Sequence, residues 1–167
     1  NQRELIEIAA GLPAGLDWQL WLAGDGPARA ACERLAAEKQ LAARVRFPGL
    51  VRDPSGLYAA ADIAVHASWS EALSNFLIEA QAHGLPAVAY QAQGIEECFR
   101  PGETGWAIPR DDRASFRLRV LELAGAPADA RETRAAAARR FARETFDPAR
   151  QVAAYLELFQ RLTLAPS

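Results

Sequence analysis

Five short, largely apolar runs separated by helix-forming stretches constrain this chain to an α/β architecture. They occupy residues 18–23 (WQLWLA), 44–47, 63–66, 87–90 and 106–108. Runs this short and nearly all apolar suit strands buried on both faces, the usual state of a parallel sheet. The stretches between them have helical ends that can be read directly. Leu5, Ile8, Ala9 and Leu12 recur at helical spacing before Gly11, Pro13 and Gly15. Gly24-Asp25-Gly26-Pro27 leads from the first strand into a helix over about residues 28–40. Asp53-Pro54 opens the helix holding Leu57 and Tyr58, and a helix over 74–83 stops at Gly84-Leu85-Pro86. Residues 94–99 read as a short helix and 102–105 as a turn. Only helices are expected beyond the last strand, over about 112–123, 130–145 and 148–162, the last with an apolar stripe of Val152, Tyr155, Leu156, Phe159 and Leu162. The expectation is one domain over residues 1–167, a parallel sheet with helices on both faces. Ligands of such sheets bind at the carboxyl ends of the strands, where segments 24–26, 49–51, 68–71 and 91–94 would share one rim.

Composition narrows the function. Half of the 167 residues are hydrophobic and the net charge is −2, which fits one well-filled core and excludes a nucleic-acid footprint. Cys32 and Cys98 have no C-x-x-C spacing, and His66 and His83 are too few and too scattered for a metal site. The isolated thiols suit a reducing, cytoplasmic setting, and no signal peptide or membrane-spanning run is evident. The chain has no methionine and opens directly in a helical pattern, so it is expected to be a piece of a longer protein.

Glu71 and Glu79 carry the sharpest chemical signal. They lie eight positions apart around Ala72-Leu73-Ser74-Asn75-Phe76-Leu77-Ile78, just after a strand. Eight helical residues rise roughly 12 Å, too far for a retaining glycosidase pair at about 5 Å. A helix starting near Ser74 leaves Glu71 in the loop and Glu79 one to two turns inside. The helix mouth between them favours an anion. Carboxylate, anion site, carboxylate matches a sugar-diphosphonucleoside. The same spacing also describes an exposed Glu71 and a Glu79 paired with an arginine, so the surroundings decide.

Those surroundings carry a family resemblance. The motifs are Gly24-Asp25-Gly26-Pro27, Val45-Arg46-Phe47-Pro48-Gly49 and Tyr58-Ala59-Ala60-Ala61-Asp62-Ile63. Downstream come Ser70-Glu71-Ala72-Leu73-Ser74-Asn75-Phe76-Leu77-Ile78-Glu79-Ala80, Gly84-Leu85-Pro86-Ala87-Val88-Ala89 and Gly102-Glu103-Thr104-Gly105. In order and spacing they resemble the C-terminal domain of family 4 GT-B glycosyltransferases, from roughly Leu5 to Leu162. The resemblance implies a Rossmann-like donor-binding half of a retaining enzyme that moves a sugar from a UDP- or GDP-type donor to a glycan or lipid-linked acceptor, in polysaccharide or glycolipid biosynthesis. It implies that Glu71 lies against the donor sugar and Glu79 accepts from the ribose hydroxyls. Ala72, Leu73, Ser74 and Asn75 would supply amides to sugar and diphosphate. The base would sit near Leu50 and Val51, and Gly24 and Gly94 would admit the ligand close to the backbone, unless they are simple turn glycines. The nucleotide sugar is a substrate, so no cofactor is implied, and no metal is expected because no Asp-x-Asp pair is present. The family's first strand, with its phosphate-binding arginine and lysine, and the acceptor domain are expected to lie outside this stretch of sequence. Diphosphate binding by this chain alone should therefore be weak, and the isolated chain inactive.

Other residues read more plainly. Family members usually carry glycine or phenylalanine where Ala72-Leu73 stand and methionine or a similar residue where Gln81 stands; the latter is expected to face packing. No arginine flanks the glutamate pair, and Arg100, the next arginine downstream, reads as a solvated turn residue. His66 reads as a satisfied strand-end histidine and His83 as a helix-end cation. Ser68 and Ser70 lack triad partners, and Trp69 sits in the rim loop. The arginines of helix 130–145 read as a solvated face that leaves peripheral contact with an anionic membrane open. A UDP-sugar epimerase or phosphorylase fits the motifs poorly. A non-catalytic Rossmann-like interaction module remains the rival, and binding separates the two.

Overall fold

A computed structural model of the chain describes residues 1–164. Helix α1 spans Gln2–Ala10, strand β1 Leu20–Ala23, α2 Arg29–Glu38, β2 Val45–Gly49, α3 Ser55–Ala60 and β3 Ala64–His66. Then come α4 Asn75–Ala82, β4 Ala87–Tyr90, a 3-10 turn over Glu96–Cys98, and β5 Gly105–Ile108. Helices α5 Arg113–Ala124, α6 Ala128–Thr145 and α7 Pro148–Leu164 close the chain. Every strand pairing is parallel.

The expected α/β class holds, and the hydrogen-bonded ladder divides in two. One sheet has the order β3-β4-β5 and the other pairs β1 with β2. Strand β4 explains the first. Its four residues are all fully buried, and their two-residue alternation feeds opposite cores. Val88 and Tyr90 join Ile8, Ile108, Phe116 and Leu123 on one face, while Ala87 and Ala89 join Leu77, Ile95, Cys98 and Phe99 on the other. Each large apolar side chain so buried contributes roughly 1.5–3 kcal/mol.

The β1–β2 sheet departs from the expectation of two covered faces. Leu20 and Leu22 point into a core with Ile6, Cys32, Leu35 and Val45, so α1 and α2 both pack on that face. The other face stays open, and Trp21 is 45% exposed. Pairing shifts between Trp21↔Arg46 and Ala23↔Gly49, an irregularity explained by Pro48, which has no N–H for the ladder. Helix α1 holds the two sheets together, with Ile6 in one core and Ile8 in the other.

The arginines of α6 form the expected solvated face, with Arg131, Arg139, Arg140 and Arg143 exposed, but three of the five also contact the body. Arg134 lies over the Trp106 ring, Arg139 donates to the His83 carbonyl and Arg140 pairs with Glu103. The reason is that α6 packs along α4, with Ala137, Ala138 and Phe141 buried. Arg100 is likewise no free turn residue: it pairs with Glu103 and Glu144 and lies over Phe141. The α7 stripe forms at the expected positions, yet Val152, Tyr155, Leu156, Phe159 and Leu162 all remain exposed.

Candidate functional site

Glu71 lies in the loop between β3 and α4, as the spacing required. Its half-buried carboxylate sits with Oε1 3.2 Å from Nε2 of His66, the last residue of β3. Burial pushes the imidazole pKa down, with Glu71 opposing that shift. Ser74 caps α4, its Oγ accepting from the Leu77 N–H at 3.4 Å. The Ser74 N–H donates to Cys98 Sγ at 3.4 Å, and that thiol donates to the Gly94 carbonyl at 3.2 Å. Burial raises the Cys98 pKa and keeps it a thiol. Gly94 serves the same junction: at φ +73° a Cβ would fall 1.8 Å from the Ala72 oxygen. Its missing side chain therefore makes room for the Glu71 loop. Ala72, Leu73 and Asn75 are exposed, and the N–H groups of Ala72 and Leu73 find no partner among the described residues. With the unpaired amides of the first α4 turn, they form an open helix mouth.

Glu79 lies on the second turn of α4 and is exposed. No arginine pairs with it among the described residues. Instead the Tyr58 hydroxyl donates to Oε2 at 2.9 Å, and burial, then Glu79 itself, raises the phenol pKa far above its usual value of 10. The phenol thus stays a donor. Tyr58 stacks on His83 with centroids 4.8 Å apart, Phe76 lies 6.2 Å from Tyr58, and His66 stacks on Phe76 at 6.0 Å. His83 is more than a solvated helix-end cation, since its Nδ1 also meets the Glu79 carbonyl at 2.9 Å. An aromatic row therefore runs from the Glu71 end of α4 to the Glu79 end.

Leu50 is exposed and Val51 half-buried beyond β2. Gly24, at φ +123°, has nothing within 4 Å of a built Cβ. A cavity of about 290 Å³ opens there, lined by Gln2, Leu22, Gly24, Gly26, Arg29 and Phe47. A larger one of about 480 Å³ lies between α6 and Glu103, at the amino end of β5, away from the rim. Arg29 donates to the Phe47 carbonyl and pairs with Glu33. Arg110, after β5, reaches the Gln91 carbonyl at 3.0 Å and the Trp69 carbonyl at 2.5 Å. So the Glu71 loop does have an arginine against it, although none stands near in sequence. No set of three or more potential metal ligands is grouped among the described residues, and none of their helices is long and apolar enough to cross a membrane.

Residues 1–125 match the family described as Glycosyl transferases group 1. The chain belongs to that family. The lipopolysaccharide core biosynthesis glycosyltransferase LpsE of Rhizobium meliloti is 34% identical over 119 residues, covering 71% of this chain and 34% of LpsE. This group 1 chain thus spans about a third of the length of the curated relatives it matches. Among solved structures, a glycosyltransferase from Rickettsia africae shares its fold with a TM-score of 0.88 at 21% identity, over 97% of this chain and 44% of that one. Anabaena HepE, solved with UDP and glucose, gives 0.83 at 25% identity over 94% and 44%. The fold is that of the C-terminal part of a GT-B glycosyltransferase.

Three side chains of this group 1 site escaped sequence reasoning. Phe76 had a signal, its i,i+3 spacing to Glu79 on one helix face. Arg110 had a weaker one, its place directly beyond a strand at Ile108-Pro109. Tyr58 stands in one of the family-like motifs, but nothing local links it to Glu79, 21 residues away.

Proposed function

We propose that the chain is the donor-binding half of a retaining glycosyltransferase acting on a UDP- or GDP-type sugar. One observation carries this reading. Neither Glu71 nor Glu79 pairs with an arginine or lysine among the described residues: Glu71 meets His66 and Glu79 meets Tyr58, on either side of an open helix mouth. Glu71 lies against the donor sugar, and Glu79, oriented by Tyr58, accepts from the ribose hydroxyls through charge-assisted bonds. The base lies near Leu50 and Val51. The α4 amides take the charge that develops as the nucleoside diphosphate departs from the front face. The structures of HepE with UDP and glucose support the ligand class.

Strands β1 and β3 each pair along one edge only among the described residues. A preceding strand in the longer protein would complete a single doubly wound sheet and bring the phosphate-binding cations, while an acceptor domain receives the glycan or lipid-linked acceptor. No metal takes part in this scheme. The free, buried Cys32 and Cys98 fit a cytoplasmic setting. The test is calorimetric titration of UDP-, GDP- and ADP-sugars into the full-length protein and its Glu79→Ala variant, with and without EDTA. One donor should bind, insensitive to EDTA, and Glu79→Ala should weaken it about tenfold or more. The isolated chain should show no turnover. Absence of binding by every donor would leave the interaction-module reading standing.

A further inference from the structure

His66 was expected to be a satisfied strand-end residue, and it is only half satisfied. Its ring is 13% exposed, with Nε2 3.2 Å from Glu71 Oε1 and 3.5 Å from Ser74 Oγ. The buried Nδ1 has no partner among the described residues. That asymmetry selects one tautomer. A proton on Nδ1 would strand a buried donor and turn the Nε2 lone pair toward a carboxylate. A proton on Nε2 gives Glu71 a charge-assisted bond and leaves an unpaired acceptor at Nδ1. A doubly protonated ring would again strand the Nδ1–H, consistent with the depressed basicity.

The ring has little freedom to turn away. Phe76 stacks on it at an interplanar angle of 20°. The loop it faces is fixed from the other side, where Arg110 holds the Trp69 carbonyl. One Glu71 oxygen is thereby engaged, and the other is left for a ligand.

We propose that His66 is a positioning residue whose Nε2–H fixes the Glu71 carboxylate at the mouth of α4, acting on recognition of the sugar and not of the nucleotide. This rests on the donor-site reading above. It assigns a strand-end histidine, remote from the nucleoside end, to the sugar step.

The test uses the full-length protein with His66→Gln, His66→Asn and His66→Ala. A glutamine amide can place its Nε2 where the imidazole Nε2 stands, whereas asparagine reaches only the Nδ1 position. His66→Asn and His66→Ala should lower kcat/KM for the nucleotide sugar about 10- to 100-fold, the expected loss for a hydrogen bond to a charged group. The Kd of the free nucleoside diphosphate should stay within about twofold, and His66→Gln should recover most of the activity. Nitrogen-15 NMR of the wild type, which does not depend on how the variants fold, should show the Nε2–H tautomer. An Nδ1–H tautomer, equal loss in all three variants, parallel loss of nucleoside diphosphate binding, or unchanged kinetics would each overturn the assignment. Wild-type activity with indifferent variants sinks this inference alone. Failure of the wild type to bind any nucleotide sugar sinks the donor reading and this inference with it.

Discussion

Tyr58 illustrates how a single side chain can decide a site. Its ring closes the small core formed with Ala64, Ala80 and Leu85, while its hydroxyl is aimed at Glu79. The two roles are separable by one atom. Tyr58→Phe keeps the packing and leaves Glu79 free to rotate, so nucleoside diphosphate affinity should fall about three- to tenfold with thermal stability nearly unchanged. Calorimetry beside a thermal melt checks this; unaltered affinity would remove Tyr58 from the site. Glu79 itself was legible in the sequence because it stands at a fixed spacing from Glu71 amid motifs that resemble a known family. Its partner was not, because a contact across 21 residues leaves no periodic trace.

At the scale of elements, helix starts were the most legible feature. Ser74 caps α4 and Asp112 caps α5, whose Oδ1 accepts from the Ser115 N–H at 2.9 Å. A side-chain acceptor placed before a helical pattern is a local signal, and locality is what a sequence preserves best. Ser74→Ala and Asp112→Ala should each cost about 1 kcal/mol in chemical denaturation. Only Ser74→Ala should also weaken nucleotide-sugar binding, because the Ser74 Oγ additionally meets His66. Equal effects of the two on binding would show that the α4 mouth has no special part. The loop facing that mouth was far less legible. Gly94 could be read as a turn glycine, but not as the glycine whose absent side chain admits the Ala72 carbonyl.

Across the whole molecule, Glu4 ties α1 to the main sheet and to α5. Glu4 is 8% exposed, and its carboxylate receives Arg113 through both oxygens and the Tyr90 hydroxyl at 2.8 Å. Hydrogen bonding from Arg113 leads in holding the Glu4 carboxyl below its ordinary 4.5, against the opposing effect of burial. A lowered folded pKa means the unfolded chain binds the proton more readily, so this contribution is complete above about pH 4.5 and is lost as the pH falls through the folded value. Glu4→Gln should cost about 1–3 kcal/mol near neutrality, less than a fully buried pair because the Arg113 side chain is 44% exposed. Urea unfolding should show that difference shrinking between about pH 5 and pH 3, and a difference constant with pH would contradict the assignment. Glu4 and Arg113 stand 109 residues apart, and nothing local marks either as the other's partner. The α7 stripe shows the same boundary from the opposite direction: periodicity predicted an apolar face, but not that the described residues would leave it exposed. By itself the sequence determined the alternation of strands and helices, the helix starts, and two glutamates around one of those starts, because each depends on neighbours along the chain. Only the tertiary structure decided that His66 and Tyr58 hold those glutamates, that Arg110 clamps the loop, and that the sheet ladder divides in two, because those depend on which distant residues packing brings within a few ångströms.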